Sequence, residues 1–467
     1  MTRDNRVQAY THTTVVDTLG GPPQPDQTIL VADGVITEVG PSAQVPIPHT
    51  AAVTDLTGTH TLPGLTDMHV HSDGDGPGGQ HFPALYIANG VTTVREMWGK
   101  PFLHDWRRRV ADGSLLGPRS VIASPLVDGA PALWTDLPVD SPVITAVTAA
   151  QGRRAVHEAV ETGADFVKVY SRLEREPYFA VLDEAHRRGI TVVGHRSDNV
   201  PLAEQIDAGQ RSFEHVHGLW PATSADSERL EAAMARLRLT SDPPYADWFK
   251  QVTAVEWEAV GSYSPEAAAA LFGRLVAADA AYCPTLVMHS AIDLPDRIRL
   301  DDPRLAYLEP ETPAMWAYVR DKVFEGGGRS AEEAARRRVL FDRRRAAVAA
   351  MDEAGVRLLA GTDSVTPGLA PGFSLHDELE LLAGAGLSPL RALQAATIEP
   401  ARFLGRDDRF GAVLPGRAAD LVVLDADPLS DIRNTRRIHA VVFDGRFIGD
   451  AELHGVLSAA STAAAVR

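Results

Sequence analysis

An α/β fold is the class the sequence predicts: a (β/α)8 TIM barrel flanked by a small β-sandwich domain built from both chain ends. Three observations carry this expectation. Short β-rich pieces with turn signals occupy residues 1–60 and return in 405–467, strands alternate with helices through 61–404, and polar residues of one chemical type recur where strands of that middle part end.

In the first part, Thr13-Thr14-Val15-Val16-Asp17, Thr28-Ile29-Leu30-Val31 and Val35-Ile36-Thr37-Glu38-Val39-Gly40 read as strands. Asp33-Gly34 between two of them is a hairpin signal, because a tight primed turn needs positive φ. Ala419 to Asp425 and Ala440 to Phe447 are matching β-rich pieces near the other end. Sheets this small are marginal alone, so the two ends are expected to pack into one domain.

Through the middle part, helical stretches from Ala150 to Thr162, from Pro177 to Arg188 and from Val200 to Ala208 each stop at a glycine and lead into an apolar strand. Repeated units of this kind imply a parallel sheet. Apolar strand cores near Leu65, Val91, Val121, Val167, Val192, Phe213, Leu286 and Leu358 make eight, the number that closes such a barrel. Ser330-Ala331-Glu332-Glu333 reads as a capping box opening a helix that runs to Glu353. The long intervals after residues 124, 216 and 289 are read as insertions that cover the strand ends.

Composition narrows the function. The 467 residues, 45% apolar and 23% charged, can bury a large core. A formal net charge of -17 repels a phosphate backbone, which argues against nucleic acid as a partner. The lone Cys283 excludes an intramolecular disulfide framework and a thiolate cluster, so any metal must be held by N and O ligands. With no leader-like start and no run of about 18 apolar residues, a cytoplasmic protein without a membrane partner is expected. Its expected partner is a small-molecule substrate, and self-association is left open.

The chemistry starts at Leu62-Pro63-Gly64-Leu65-Thr66-Asp67-Met68-His69-Val70-His71. In a strand His69 and His71 project the same way, roughly 6.6 to 6.8 Å apart along the backbone. Two imidazoles side by side suit zinc, though a single His-x-His pair is often accidental. Lys168, His195, His215 and Asp363 fall at or near the ends of later strands, where such barrels place their working residues. Lys168 is conspicuous because Lys100, Lys250 and Lys322 are the only other lysines, and because an unpaired ammonium in an apolar strand is costly to bury. Either it pairs with Asp363 or another carboxylate, or carbon dioxide has converted its amine to a carbamate able to bridge two metals.

His69-x-His71, Lys168, His195, Phe213-Glu214-His215 and Gly361-Thr362-Asp363 together resemble the binuclear amidohydrolase superfamily. More narrowly, Ser374 to Leu382, Ala395-Ala396-Thr397 and Gly416 to Leu424 are similar to its imidazolonepropionase-like and prolidase-like branch. The resemblance covers nearly the whole chain and thins between residues 216 and 350. It implies one divalent ion on His69, His71, Lys168 and Asp363 and a second on Lys168, His195 and His215. Zinc is the first choice, with manganese, iron or cobalt as substitutes, and Lys168 is carboxylated. A hydroxide would bridge the ions, with Asp363 taking its proton and passing it to the leaving nitrogen. Imidazolonepropionase-like members often use one metal and lack the lysine, so Lys168 favours the two-metal form.

Other polar residues have less definite roles. Tyr170 shares a strand face with Lys168 and could bind substrate or simply pack. Arg95 could hold a carboxylate bidentately or pair with Glu96. Arg196 stands where related sequences usually carry a small residue and is a candidate for substrate binding. His217, His289 and His376 are weaker candidates for the same role. The expected activity is hydrolysis of an amide or related carbon–nitrogen bond in a dipeptide or N-acyl amino acid. The alternatives are a cyclic amide or imidazolone-type hydrolase, a non-hydrolytic cyclase, dehydratase or lyase using the same metal site, or a barrel kept as a scaffold without catalysis.

Overall fold

A computed structural model of the chain describes residues 7–72, 81–134, 142–240, 244–324 and 329–465. It is an α/β fold with parallel-strand sheets. A further eight-stranded sheet draws on both chain ends, in the order Arg446–Gly449, Ile438–Phe443, Leu421–Leu424, His60–Pro63, Gln8–Val15, Gln24–Ala32 and Val35–Pro41, with Ala52–Asp55 also paired to Gln8–Val15. The two ends meet where Leu421–Leu424 runs antiparallel to His60–Pro63. The Asp33-Gly34 hairpin turns with φ of 52° and 78°, and Asp444-Gly445 repeats the device at 50° and 78°. Alternate residues of these strands, including Tyr10, Ile29, Val31, Leu421, Val423 and Val442, form one apolar cluster.

The middle of the chain holds two parallel sheets. One orders its strands Val143–Thr145, Leu126–Asp128, Phe166–Val169, Thr191–Gly194, Ser212–Glu214, Ala281–Cys283 and Arg357–Leu358; the other orders Leu65–Val70, Val91–Glu96 and Arg119–Ile122. Most positions in these strands are buried, which is why they read as apolar runs rather than alternating ones. Backbone bonds also cross between the sheets. Ser124 donates to the Phe166 carbonyl at 2.9 Å, Met68 to that of Ala360 at 2.8 Å, and His71 to that of Ser364 at 2.6 Å.

The expected helices form at Ala149–Glu161, Arg175–Arg188 and Leu202–Asp207. A reciprocal capping box closes on the first, between Thr148 and Gln151. At Ser330 only half the motif forms: its hydroxyl accepts from the Glu333 amide at 3.1 Å and opens the helix Ala331–Glu353. One strand needs correcting. The seventh apolar core is not at Leu286 but at Ala281–Cys283, and Leu286 begins the helix Leu286–Asp293. The distant Glu378 accepts both the Leu286 and Val287 amides, at 3.0 and 2.7 Å, and so caps a helix start that local sequence leaves uncapped. Among the described residues no helix is long and apolar enough to cross a membrane.

Candidate active site

His69 is the penultimate residue of the strand Leu65–Val70 and His71 follows it. Their Nε2 atoms stand 3.3 Å apart, and Asp363 Oδ1 lies 3.2 Å from the first and 2.8 Å from the second. Two nitrogens and one oxygen thus converge on a single point, a donor set suited to a divalent cation. Local structure explains the convergence. Asp67 Oδ2 accepts from the Thr362 hydroxyl at 2.8 Å, while its Oδ1 accepts the Thr362 amide at 3.0 Å and the His69 amide at 3.2 Å, tying the two segments together. Gly361 allows the close approach, since a Cβ there would come within 2.8 Å of the His69 amide nitrogen. Asp363 then takes a left-handed φ of 61° and donates its amide to the His69 carbonyl at 2.7 Å.

Behind these groups is a buried ionic layer. His69 Nδ1 donates to Glu214 Oε2 at 2.8 Å, which fixes the ring with Nε2 turned toward His71 and Asp363. Arg95 Nη2 donates to both oxygens of Glu214 at 2.9 Å, and Ser212 Oγ donates to Oε1. Burial opposes the charge on Glu214, but Arg95 and the bond from His69 outweigh it and hold the carboxyl well below its usual range. Glu214 also lies near His69 and Cys283 in a second candidate metal triad. With the Glu214 oxygens occupied by Arg95 and the Cys283 thiol pushed upward by burial, that triad is not a cation site.

Lys168, His195 and His215 lie beside the first cluster. His195 Nδ1 contacts Ser171 Oγ at 3.0 Å, and its ring stacks on Tyr170 with centroids 3.9 Å apart. His215 Nδ1 contacts Thr285 Oγ1 at 2.7 Å, and its ring lies 4.8 Å from that of His195 and 4.7 Å from that of His69. Each ring therefore has Nδ1 engaged, which leaves Nε2 as the atom that could meet a cation. Lys168 Nζ is buried and has no hydrogen-bond partner among the described residues; the expected ion pair with Asp363 is not formed. Burial lowers its ammonium pKa to about 8, against the pull of Glu214 and Asp363. Burial likewise drives His71, His195 and His215 downward, against the charged form. Asp363 is the reverse case: burial would raise it, but His69, His215 and the bonds from His69 and His71 hold it well below the usual carboxylate range.

The two arginines are not where a substrate would meet them. Arg95, 1% exposed, bonds the Met68 carbonyl at 2.6 Å, Ser212 at 3.0 Å and Glu214, so it serves the layer behind His69 and its ion pair is with Glu214, not Glu96. Glu96 instead accepts from the Ser72 hydroxyl and amide. Arg196 is also buried, held by Glu231 at 2.6 Å and by the Gly218 carbonyl at 2.8 Å. Tyr170 does face the cavity above the cluster, as does His217. His289 accepts the Val216 amide at 2.9 Å, and His376 sits between Thr435 and the Asn89 carbonyl; neither is among the residues lining the cavity.

That cavity, about 230 Å³, has His71, Lys168, His195, His215 and Asp363 on its polar side and Trp98, Trp134, Tyr245 and Met288 among its apolar walls. Sequence reading quotes Glu214 without giving it a role and misses Asp67, Ser171, Thr285 and the aromatic wall. Opposite charges on two buried strands of separate sheets, Arg95 in Val91–Glu96 and Glu214 in Ser212–Glu214, were the available signal.

Residues 289–448 match the profile of the Amidohydrolase family. An imidazolonepropionase from Chloroflexus aggregans is 39% identical over 83 residues, 18% of this chain and 19% of that protein. The curated relatives are matched over only 12% to 21% of their own length. Among solved structures, the bottromycin amidohydrolase superposes with a TM-score of 0.74 at 25% identity, covering 98% of this chain and 91% of its own. A Xaa-Pro dipeptidase with bound methionine shares the fold at 18% identity and a TM-score of 0.68, over 95% of this chain and 100% of its own. Family profile, fold and the His-x-His, Glu-His and Gly-Thr-Asp segments agree: residues 289–448 are similar to the Amidohydrolase family, and the whole chain is similar in fold to solved amidohydrolase structures.

Proposed function

We propose that the protein is a metal-dependent hydrolase of an amide or related carbon–nitrogen bond, with dipeptides and N-acyl amino acids as the first substrates to test. Its parallel strands form a closed (β/α)8 barrel over residues 61–404, and residues 1–60 and 405–467 form a β-sandwich domain. The crossing backbone bonds at Ser124 and Met68 support closure, and the pairing of Leu421–Leu424 with His60–Pro63 supports the second unit.

The observation that carries the functional reading is the meeting of His69 Nε2, His71 Nε2 and Asp363 Oδ1 beside an unpartnered, buried Lys168 Nζ. A divalent cation fits the first three atoms, and a second, on His195 and His215, would answer the orphaned lysine if its amine nitrogen bonds carbon dioxide and loses a proton to become an anionic carbamate. Divalent ions held there, zinc foremost, would acidify water and polarise the substrate carbonyl. The side chains supply the rest. Asp363 Oδ2, oriented by the Thr366 hydroxyl at 3.2 Å, accepts the proton of the attacking water and returns it to the departing nitrogen. Glu214 fixes the orientation of His69 through Nδ1. Tyr170 holds the His195 ring by stacking and places its hydroxyl at the cavity wall.

The test is release of amine from a panel of N-acyl amino acids and dipeptides before chelation, after chelation and after zinc is restored. Activity that disappears and returns is the expected result. Activity indifferent to exhaustive chelation contradicts the proposal.

A further inference from the structure

The apolar wall of the cavity comes from elements that the chemistry above does not use. The Trp134 ring lies 4.5 Å from Tyr245, 6.0 Å from Trp98 and 6.4 Å from Tyr170, centroid to centroid. Trp98 in turn stands edge-on to His71 at 6.1 Å, so the aromatic sleeve begins at the polar cluster itself. Met288 and Ile292, from the helix capped by Glu378, extend it.

The charge on this wall is as informative as its shape. Among the described residues lining the cavity the only Lys, Arg, Asp or Glu side chains are Lys168 and Asp363, both already placed in the polar cluster. Arg95 and Arg196, the two guanidinium groups that the sequence offers as substrate-binding candidates, are buried against Glu214 and Glu231. Lys100 faces the outer Trp98 ring at 5.8 Å and does not line the cavity. The internal segments outside the described residues, 73–80, 135–141, 241–243 and 325–328, contain no lysine or arginine in their sequence. Against this wall, away from the polar cluster, a substrate carboxylate would lose its water with no lysine or arginine to pair with, on a protein whose net charge of -17 already repels it. An aryl or branched apolar group would gain both buried area and ring contacts.

Resting on the hydrolase reading above and moving its preferred substrates from free N-acyl amino acids to their amides, we propose that the site selects by a bulky apolar group, aromatic above all, next to the scissile bond. Among the described residues of the apolar wall a carboxylate beside that bond meets no lysine or arginine, so neutral amides are cleaved in preference to the matching free acids. Trp134 and Tyr245 are the residues that set this specificity.

Zinc-supplemented full-length protein is assayed for acetate release from N-acetylalanine, N-acetylphenylalanine and the carboxamide of each. The expected kcat/KM favours benzyl over methyl, and carboxamide over free acid, each by about tenfold or more, the range that one well-packed aromatic contact or one unpaired charge provides. In Trp134→Ala the benzyl-to-methyl ratio falls by about tenfold, and Trp134→Phe restores most of it. In parallel, quenching of tryptophan fluorescence by the phenylalanine carboxamide is titrated against quenching by the free acid. A preference for the free acid, or equal handling of benzyl and methyl, overturns the proposal, as does an unchanged ratio in Trp134→Ala. If none of the four compounds is hydrolysed, the amide-hydrolase reading fails on its own, and the titration still decides this inference. Tighter binding of the carboxamide, weakened in Trp134→Ala, supports it, and tighter binding of the acid or no saturable quenching refutes it.

Discussion

Replacing Glu214 by glutamine tests the layer behind the candidate metal ligands. Glu214 holds two buried partners at once, Arg95 through both oxygens at 2.9 Å and His69 Nδ1 at 2.8 Å, and all three residues are at most 2% exposed. Glutamine keeps the shape and one acceptor for His69 but leaves the guanidinium without a counter-charge. Removing one partner of a buried pair costs about 3 to 5 kcal/mol, because the remaining charge is uncompensated. Loss of the carboxylate behind a ligating histidine lowers metal affinity by about 10- to 100-fold. The two effects separate in a cycle with Arg95→Met. The double variant removes both buried charges and regains most of the thermal midpoint of the metal-free protein, while metal affinity, read by competition with a chromophoric chelator, stays low. The reasoning fails if Glu214→Gln alone melts with the wild type in the metal-free state, or if it holds zinc as tightly.

Three shorter predictions follow from the same geometry. Lys168→Ala loses activity that short carboxylic acids partly restore by standing in for the carbamate; activity equal to wild type removes the carbamate from the account. Asp363→Asn lowers kcat by about 10²- to 10⁴-fold, the range of a lost acid–base group, with an unchanged far-UV circular dichroism spectrum; a wild-type turnover number contradicts the role. Glu378 has its carboxyl pushed up to about 8 by burial, so the folded state holds its proton more tightly than the unfolded chain does. Its ionisation therefore favours unfolding: its contribution is greatest below the unfolded pKa of about 4.3 and declines, by at most ~1.4 kcal/mol per pH unit, until pH 8. Glu378→Gln should accordingly gain in thermal midpoint relative to wild type between pH 5 and 8, and a difference that is flat with pH refutes the assignment.

Much of this was legible because the signals are local. Asp-Gly hairpins, glycine-stopped helices and continuous apolar strands each follow from backbone preferences within a few residues, and the helices Ala149–Glu161 and Arg175–Arg188 end within two residues of their expected positions. Leu286 misled for the opposite reason. A short apolar run suits a buried strand or a buried helix equally, and what decides for the helix is Glu378, more than ninety positions away. The metal-ligand candidates were visible as residue types at strand ends, but the arginines were misassigned because spacing gives a strand face and not the partner across it. Arg95 meets Glu214 of the other parallel sheet, and Arg196 meets Glu231 of the helix Ser227–Met234, contacts set by the packing of the whole fold. The aromatic wall lies in the insertions, where Trp134 and Tyr245 carry no periodic signature.

The central claim is that side chains from His69 to Asp363 together hold a pair of cations. Elemental analysis of the purified full-length protein by mass spectrometry tests it most directly. Close to two equivalents of divalent metal per chain, falling in step with activity on chelation, is the predicted result. A fully active preparation containing no divalent metal contradicts it.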